Sequence, residues 1–318
     1  MLENLKIKIT DDYVIYLDEI EVGLVNPASL WCANRKKMLA QGPIGLKSID
    51  CTTGFNAIRD LVSIGTVILG TSAEILEAKK AINDSVVSRT SVYLLSSSPD
   101  LRFFCNALRS VRNSHVAIVG CGGIGSSSAY LLAGAGVKEF TLIDSDVIER
   151  SNFNRQPFWT HKTIGQKKTK ILCKELLNRF KSIKINTYEV DGHDMLLKVD
   201  SPLSNIDLAV VTVDTPIYVN FKVCKYLKEL KIPFVGGGYN HALMTVYDDV
   251  NSYQQQDLQW KSYSKNLISP SFGPTNFEIA GLISNKALQC LWGVKKGFDF
   301  GIVQTADSRI LPRSYKIE

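Results

Sequence analysis

Six residues with useful chemistry crowd into about 25 positions: Asp144, Asp146, Asn152, Arg155, Gln156 and Lys168. They comprise two carboxylates, two amides and two cations. Just before them lies the string GCGGIG at 120–125, which supplies Gly120, Gly122, Gly123 and Gly125. Glycines at this spacing permit a tight turn and close backbone approach, and a helix that starts there offers its N–H groups to a phosphate. Asp144 stands 19 residues past Gly125, where an acid at the end of the next strand can accept ribose hydroxyls. On these features alone the chain reads as a nicotinamide dehydrogenase. The polar run after Asp144 argues otherwise, because a dehydrogenase needs nothing so rich directly after its ribose acid. Arg155 and Lys168 would neutralise a triphosphate and stabilise charge as pyrophosphate leaves. Read singly, each of these cations is a solvated surface charge; taken together in this order they point to one site.

The elements that must position these residues follow from hydrophobic periodicity. Val116-Ala117-Ile118-Val119 is a wholly apolar run, the pattern of a strand buried on both faces of a parallel sheet. A helical run follows the glycines. Strands are then predicted at 140–144, 183–190, 207–213 and 233–237, with helices over 166–181 and 217–230 between them. This alternation predicts a doubly wound α/β sheet whose strand ends carry the ligand. Beyond it the pattern predicts a strand at 242–247, an irregular stretch at 249–268, a helix near 275–292 and a C-terminal pair of strands. Ahead of it, Leu5–Ile9, Tyr13–Leu17 and Val22–Val25 alternate as short strands, and from Pro27 the pattern turns helical. Residues 55–64 and 73–82 read as amphipathic helices, and SSSPD at 96–100 as a linker loop.

Composition bounds the reading. The chain has 318 residues, 45% hydrophobic and 21% charged, with a net charge of +6. That is ample for a buried core and excludes a disordered chain. The basic surplus suits an anionic ligand or an acidic peptide but is too small to argue for nucleic acid. No apolar stretch of membrane-spanning length and no signal-peptide pattern occurs, so the expectation is a cytoplasmic protein with no membrane partner. Seven scattered cysteines form no C-x-x-C pair, so neither a disulfide framework nor a zinc site is expected. His115, His161, His193 and His241 are spread apart and read as structural or surface residues.

The linear order GCGGIG, LIDSDVIERSNFNRQ, IGQKKTK and VVTVDTP resembles the ThiF/MoeB superfamily of ubiquitin-activating-type adenylating enzymes over residues 112–240, and more weakly to 292. The resemblance implies a Rossmann-like, mainly parallel sheet that uses ATP and Mg²⁺. It implies Asp144 on the ATP ribose, with Asp146, Asn152 and Gln156 around the nucleotide. Arg155 and Lys168 would lie on the phosphates as catalytic residues, and Asp214 would hold magnesium near the α-phosphate. It also implies a homodimer in which an arginine crosses to the partner's site. Arg89 is the candidate, with Arg102, Arg109 or Arg112 as alternatives.

Within that family, missing zinc cysteines and the lack of any cysteine in 249–268 disfavour thiol transfer. The N-terminal region resembles the leader-peptide recognition domain of members that mature ribosomally made peptides, such as those of pantocin A and microcin C. The expected organisation is then a small α+β, winged-helix-like domain at 1–80 that binds the leader of a precursor peptide, a linker at 81–112, and an adenylating domain at 113–318. Gly236–Tyr239 and the loop 269–276 would shape the peptide site. The implied reaction is adenylation of a carboxylate of the precursor peptide, with a glutamate side chain leading to cyclisation as one option. Alternatives are the C-terminus of a microcin-like peptide, or that of a sulfur-carrier or ubiquitin-like protein. A non-enzymatic peptide-binding scaffold with a relic nucleotide site also stays open.

Overall fold

The structure is a computed structural model that describes residues 7–34, 37–50, 54–191, 203, 205–214, 219–240, 243–249, 270–293, 304–307 and 316–317. The chain divides into two units, Met1–Arg109 and Ser110–Glu318.

The first unit opens with β1 (Ile7–Ile9), β2 (Val14–Leu17) and β3 (Ile20–Val25). The β2–β3 turn places Asp18 at φ 48 and Glu19 at φ 68, the left-handed pair of values that a two-residue hairpin turn requires. A second sheet follows: β4 (Leu30–Asn34), β5 (Lys37–Gln41) and β6 (Leu46–Asp50), joined antiparallel in chain order. This corrects the expectation of helix after Pro27. Buried side chains here are sparse, with Ala40 in β5 and Ile49 in β6, so the alternation that marks a strand is nearly erased in the sequence. Helix α1 (Gly54–Ser63) then leads to β7 (Val67–Leu69), which pairs with β3 to complete a sheet of order β1-β2-β3-β7. Ile15, Val25, Ala40, Ile49, Ala57, Leu61 and Val67 share one core, so α1 and the two sheets bury against each other. Helix α2 (Ser72–Ile82) falls on the helix expected at 73–82, and helices α3 (Ser88–Ser96) and α4 (Leu101–Asn113) occupy the stretch read as a linker. Helix α2 is started by a reciprocal cap, in which Thr71 Oγ1 accepts from Glu74 N at 3.4 Å and Glu74 Oε2 accepts from Thr71 N at 2.8 Å.

The second unit begins with β8 (His115–Val119), α5 (Gly123–Gly134) and β9 (Glu139–Ile143). It continues with α6 (Lys168–Arg179), β10 (Lys184–Tyr188), β11 (Leu208–Val211), α7 (Val219–Glu229), β12 (Phe234–Asn240) and β13 (Leu243–Tyr247). It closes with α8 (Gly273–Leu291), β14 (Gln304–Asp307) and β15 (Lys316–Ile317). Eight strands form one sheet of order β10-β9-β8-β11-β12-β13-β14-β15. Pairings from β10 to β12 are parallel, and the last three are antiparallel. The mainly parallel α/β sheet expected from the sequence is therefore present.

Strands β8, β9 and β10 step outward one way, and the chain then returns to place β11 on the other flank of β8. The crevice between β8 and β11 is thus the topological switch point, where open α/β sheets bind ligands at their carboxyl ends. Val116 to Val119 are all at most 1% exposed, and Ala117 and Val119 join the core that Val223, Cys224 and Leu227 of α7 complete. No described helix is long and apolar enough to cross a membrane. The irregular stretch 249–268, beyond Asp249, lies outside the described residues, as do His193, His241 and Cys51.

Candidate functional site

Residues 120–125 turn the end of β8 into the start of α5. Gly120 has φ +95, and a Cβ there would stand 2.7 Å from the backbone N of Val213. Thr212 Oγ1 donates to Gly120 O at 2.8 Å, and Thr212 N to Val119 O at 2.8 Å. The glycine loop is thereby sewn to the end of β11. A Cβ on Gly125 would come within 1.8 Å of Gly120 O, which explains glycine where the helix doubles back on the loop. Gly122 is different. It caps α5 without any side-chain hydrogen bond, and among the described residues the one heavy atom within 4 Å of its Cβ position is Gln156 Nε2, at 4.0 Å. The first N–H groups of α5 have no side-chain cap and the helix dipole lies behind them, with open space at the Gly122 side of the loop, an arrangement suited to an anion.

Asp144 follows β9 and is held by two backbone donors, Cys121 N at 2.6 Å and Asp146 N at 2.7 Å. Each carboxylate oxygen keeps lone pairs for a further donor. Burial pushes its pKa up, while the Lys168 ammonium and the Asp146 and Cys121 N–H groups work to lower it. A carboxyl whose folded pKa is raised contributes stability that is complete below its unfolded pKa and lost as pH rises through the folded value. The unfolding free energy of the protein minus that of Asp144→Asn should therefore fall as pH climbs from about 4. Urea titrations of both proteins across that range check this, and a flat difference would contradict it.

Lys168 is the first residue of α6, with a side chain 8% exposed, and its Nζ meets Asp146 Oδ2 at 2.7 Å. Two of its three hydrogens stay available to a ligand. An isolated bridge between Val147 and Lys167 and the Ile148–Gln166 and Gly165–Ile148 backbone bonds fasten this helix start to the strand of residues after Asp144. Asn152 is buried in a 3-10 turn (Arg150–Asn152), and its Oδ1 accepts from Glu149 N at 3.0 Å. Its side chain thus shapes the turn that carries Arg155. Nη1 of Arg155 donates to Ser151 O at 2.8 Å and Asn154 Oδ1 at 2.9 Å, which leaves the hydrogens on Nε and Nη2 for an anion. Gln156 is 3% exposed, and Trp159 Nε1 donates to its Oε1.

Asp214 is exposed, one residue past Val213, whose backbone packs against the Gly120 position. It belongs to the same strand-end cluster as the glycine loop. Arg89 is exposed in the first turn of α3, in the first unit. Arg102 pairs with Glu74 at 3.5 Å and Arg109 with Glu77 at 3.4 Å in the same unit. Among the described residues no three His, Cys, Asp or Glu side chains group into a metal site by themselves.

Two residues of the segments expected to shape the peptide site, Asn276 and Tyr239, instead join the wall of the glycine loop. Asn276, 4% exposed on α8, donates through Nδ2 to Tyr239 OH at 3.0 Å and to Phe272 O at 2.8 Å. Its Oδ1 consequently faces Gly123, 2.5 Å from where a Cβ would stand. Tyr239 OH shares a hydrogen with Ser271 Oγ at 2.6 Å, and Asn154 Nδ2 donates to Ser271 O at 3.0 Å. This network ties the start of α8 and the end of β12 to the glycine loop. Their places in Gly236–Tyr239 and the loop 269–276 were the one sequence hint of it. Thiol chemistry finds little support nearby. Burial pushes the Cys121 thiol, inside the glycine loop, well above its usual range and the Cys105 thiol up to about 12. Cys224 is raised too.

Comparison with known proteins adds the following. The model of the ThiF family matches residues 98–309. The adenylyltransferase and sulfurtransferase UBA4 of Eremothecium gossypii is 34% identical over 116 residues, which are 33% of this chain and 26% of that protein. The chain thus aligns with about a quarter of that relative's length. Among solved structures, Escherichia coli MccB with AMPCPP and MccA superposes with a TM-score of 0.70 at 19% identity, covering 93% of this chain and 96% of that one. PaaA superposes with a TM-score of 0.61 at 14% identity, covering 82% and 90%. At these identities the likeness is one of fold.

Proposed function

Because the chain belongs to the ThiF family, we propose that it adenylates a carboxylate of a ribosomally made precursor peptide, using Mg·ATP and releasing pyrophosphate. The observation that carries this reading is the uncapped start of α5 at the sheet's switch point, with Asp144 bound to Cys121 N, the Gln156 amide beside Gly122, the Arg155 backbone against Gly123 and the Lys168 ammonium acting on Asp144. That set offers several donors to a polyphosphate and an acceptor to a ribose, and it lacks a nucleophile–base pair. A peptide carboxylate is already ionised at pH 7, so its attack on the α-phosphate requires no general base. The residues need only bind, orient and neutralise. The α5 N–H groups and the spare Arg155 hydrogens hold phosphate oxygens, Lys168 stabilises charge that grows as pyrophosphate departs, and Asp144 accepts ribose hydroxyls through its spare lone pairs. Magnesium, when bound there, would supply Lewis-acid polarisation of the phosphates, and Asp214 offers the hard oxygen ligand it prefers. The wide likeness to MccB, a microcin C7 biosynthetic enzyme crystallised with AMPCPP and MccA, supports a peptide as the acceptor.

The finer reading is a glutamate side chain that becomes activated and then closes a ring, with the first unit holding the peptide's leader and the enzyme working as a homodimer to which Arg89 contributes. A second reading, activation of the C-terminus of a sulfur-carrier or ubiquitin-like protein, is favoured by the UBA4 alignment. The acceptor separates them. Purified protein with ATP and a peptide encoded beside its gene should release pyrophosphate only when the peptide is present, and the peptide should lose water or gain a nucleotide by mass. Pyrophosphate release with a sulfur-carrier protein and none with any neighbouring peptide would favour the second reading. No release with either would reject both. Within the same assay, Asp214→Ala should raise the magnesium concentration needed for half-maximal rate about tenfold. The reason is that a water can replace one carboxylate on an ion that keeps several waters.

A further inference from the structure

Gln156 carries an amide whose two ends are alike in shape and opposite in chemistry, one accepting and the other donating. Which end faces the glycine loop decides whether the loop attracts or repels a phosphate oxygen. The neighbour on the far side resolves this. Trp159 Nε1–H donates to Gln156 Oε1, and an indole nitrogen can only donate. The oxygen is therefore held toward the indole, and Nε2 points at Gly122, where it lies 4.0 Å from the position a Cβ would take. Both side chains are buried, 3% and 6% exposed, and Phe158 packs at 66° against the indole with centroids 6.3 Å apart. Among the described residues no acceptor takes a hydrogen from Nε2. The amide nitrogen thus faces the glycine loop with its hydrogens free to meet a ligand oxygen there.

We propose that Trp159 is a positioning residue, which locks the Gln156 amide with its NH₂ aimed into the glycine loop so that it donates to an oxygen of the bound nucleotide. This rests on the reading of the site as an ATP site. Without the indole donor the amide has no preferred orientation, and the flipped form sets a carbonyl oxygen against the nucleotide's own oxygens. The role differs from bulk packing because it is transmitted through a single atom pair.

The test is calorimetric titration of ATP into the full chain and three variants: Trp159→Phe, Gln156→Met and the double replacement. Trp159→Phe should weaken ATP about tenfold, and Gln156→Met at least as much, as expected for one hydrogen bond to a charged group. The double variant should bind no worse than Gln156→Met, because the indole acts only through the amide. Replacing Trp159 by 3-benzothienylalanine, which exchanges the indole N–H for sulfur, should reproduce the loss while leaving the urea unfolding midpoint in place. It keeps the inference open to refutation if Trp159→Phe fails to fold. Unchanged ATP affinity in the benzothienyl variant, or additive losses in the double variant, would overturn the inference alone. Wild-type protein that binds no ATP would overturn the functional reading and this inference with it.

Discussion

Lys168→Met should lower peptide-dependent pyrophosphate release by about 10²–10³-fold, with the urea midpoint close to that of the parent. The rate effect follows from where the ammonium sits. Its side chain is 8% exposed, one of its hydrogens goes to Asp146 and the others point to no described protein group that would claim them in the reaction. A preorganised donor aimed at developing charge in a water-poor site contributes about 2.7–4 kcal/mol to the barrier. Methionine keeps the apolar stem that α6 buries while removing the charge. Asp146 is largely exposed, so losing its partner lets it rehydrate at small cost to the fold. Steady-state pyrophosphate release beside a urea titration checks both halves. A variant retaining more than a tenth of the parent rate would remove Lys168 from the catalytic set.

The second large effect contrasts two glycines three positions apart. Gly125→Ala should destabilise the chain by about 3 kcal/mol or more, at the top of the range for overpacking. The added carbon would sit 1.8 Å from Gly120 O and 2.6 Å from Thr212 Oγ1. The first of these is backbone tied into the turn, so relief requires moving the loop off β11. Gly122→Ala should behave oppositely. Its φ of −72 suits alanine, its Cβ position meets nothing closer than 4.0 Å among the described residues, and the unfolding midpoint should shift little. The methyl would instead intrude on the space in front of the α5 N–H groups and weaken ATP binding. Denaturant midpoints and ATP titrations on the pair separate the two roles. Similar losses of stability in both would show that the loop's open face is not open.

The parallel sheet was readable because its strands are buried on both faces. Runs such as 116–119 and 208–211 are apolar without interruption, and glycine punctuation marks the turn between strand and helix. The strand-end polar residues were readable because they lie close together in sequence. Residues 27–50 were misread for the opposite reason. A small sheet with one covered face and few buried side chains leaves a pattern that helix periodicity fits equally well. The loop read from SSSPD does separate α3 from α4, but the two helices beside it were not read, although Leu94, Leu95, Phe104 and Leu108 are buried. Asn276 and Tyr239 lay in segments assigned to the peptide site by resemblance, with no local signal for a role beside the glycine loop. Their importance is created by α8 folding back onto a loop some 150 residues earlier, a fact of tertiary structure. Trp159 sat next to a recognised string, yet its value depends on which way an amide points.

The threading of the sheet has a consequence for how the chain comes into being. Strand β8 must find β11 about 90 residues downstream, and the glycine loop gains its last wall from Asn276. At about 5–20 residues per second, a ribosome would emit β8 and the glycine string roughly 8–30 s before that wall. Throughout this interval the donors at 120–168 lack the β11 and α8 contacts that hold the glycine loop in place. Because a ligand stabilises only the conformation that binds it, ATP can reward the finished fold but cannot guide the emerging one. A chain halted before α8 would carry the whole recognisable motif and gain no protection from nucleotide.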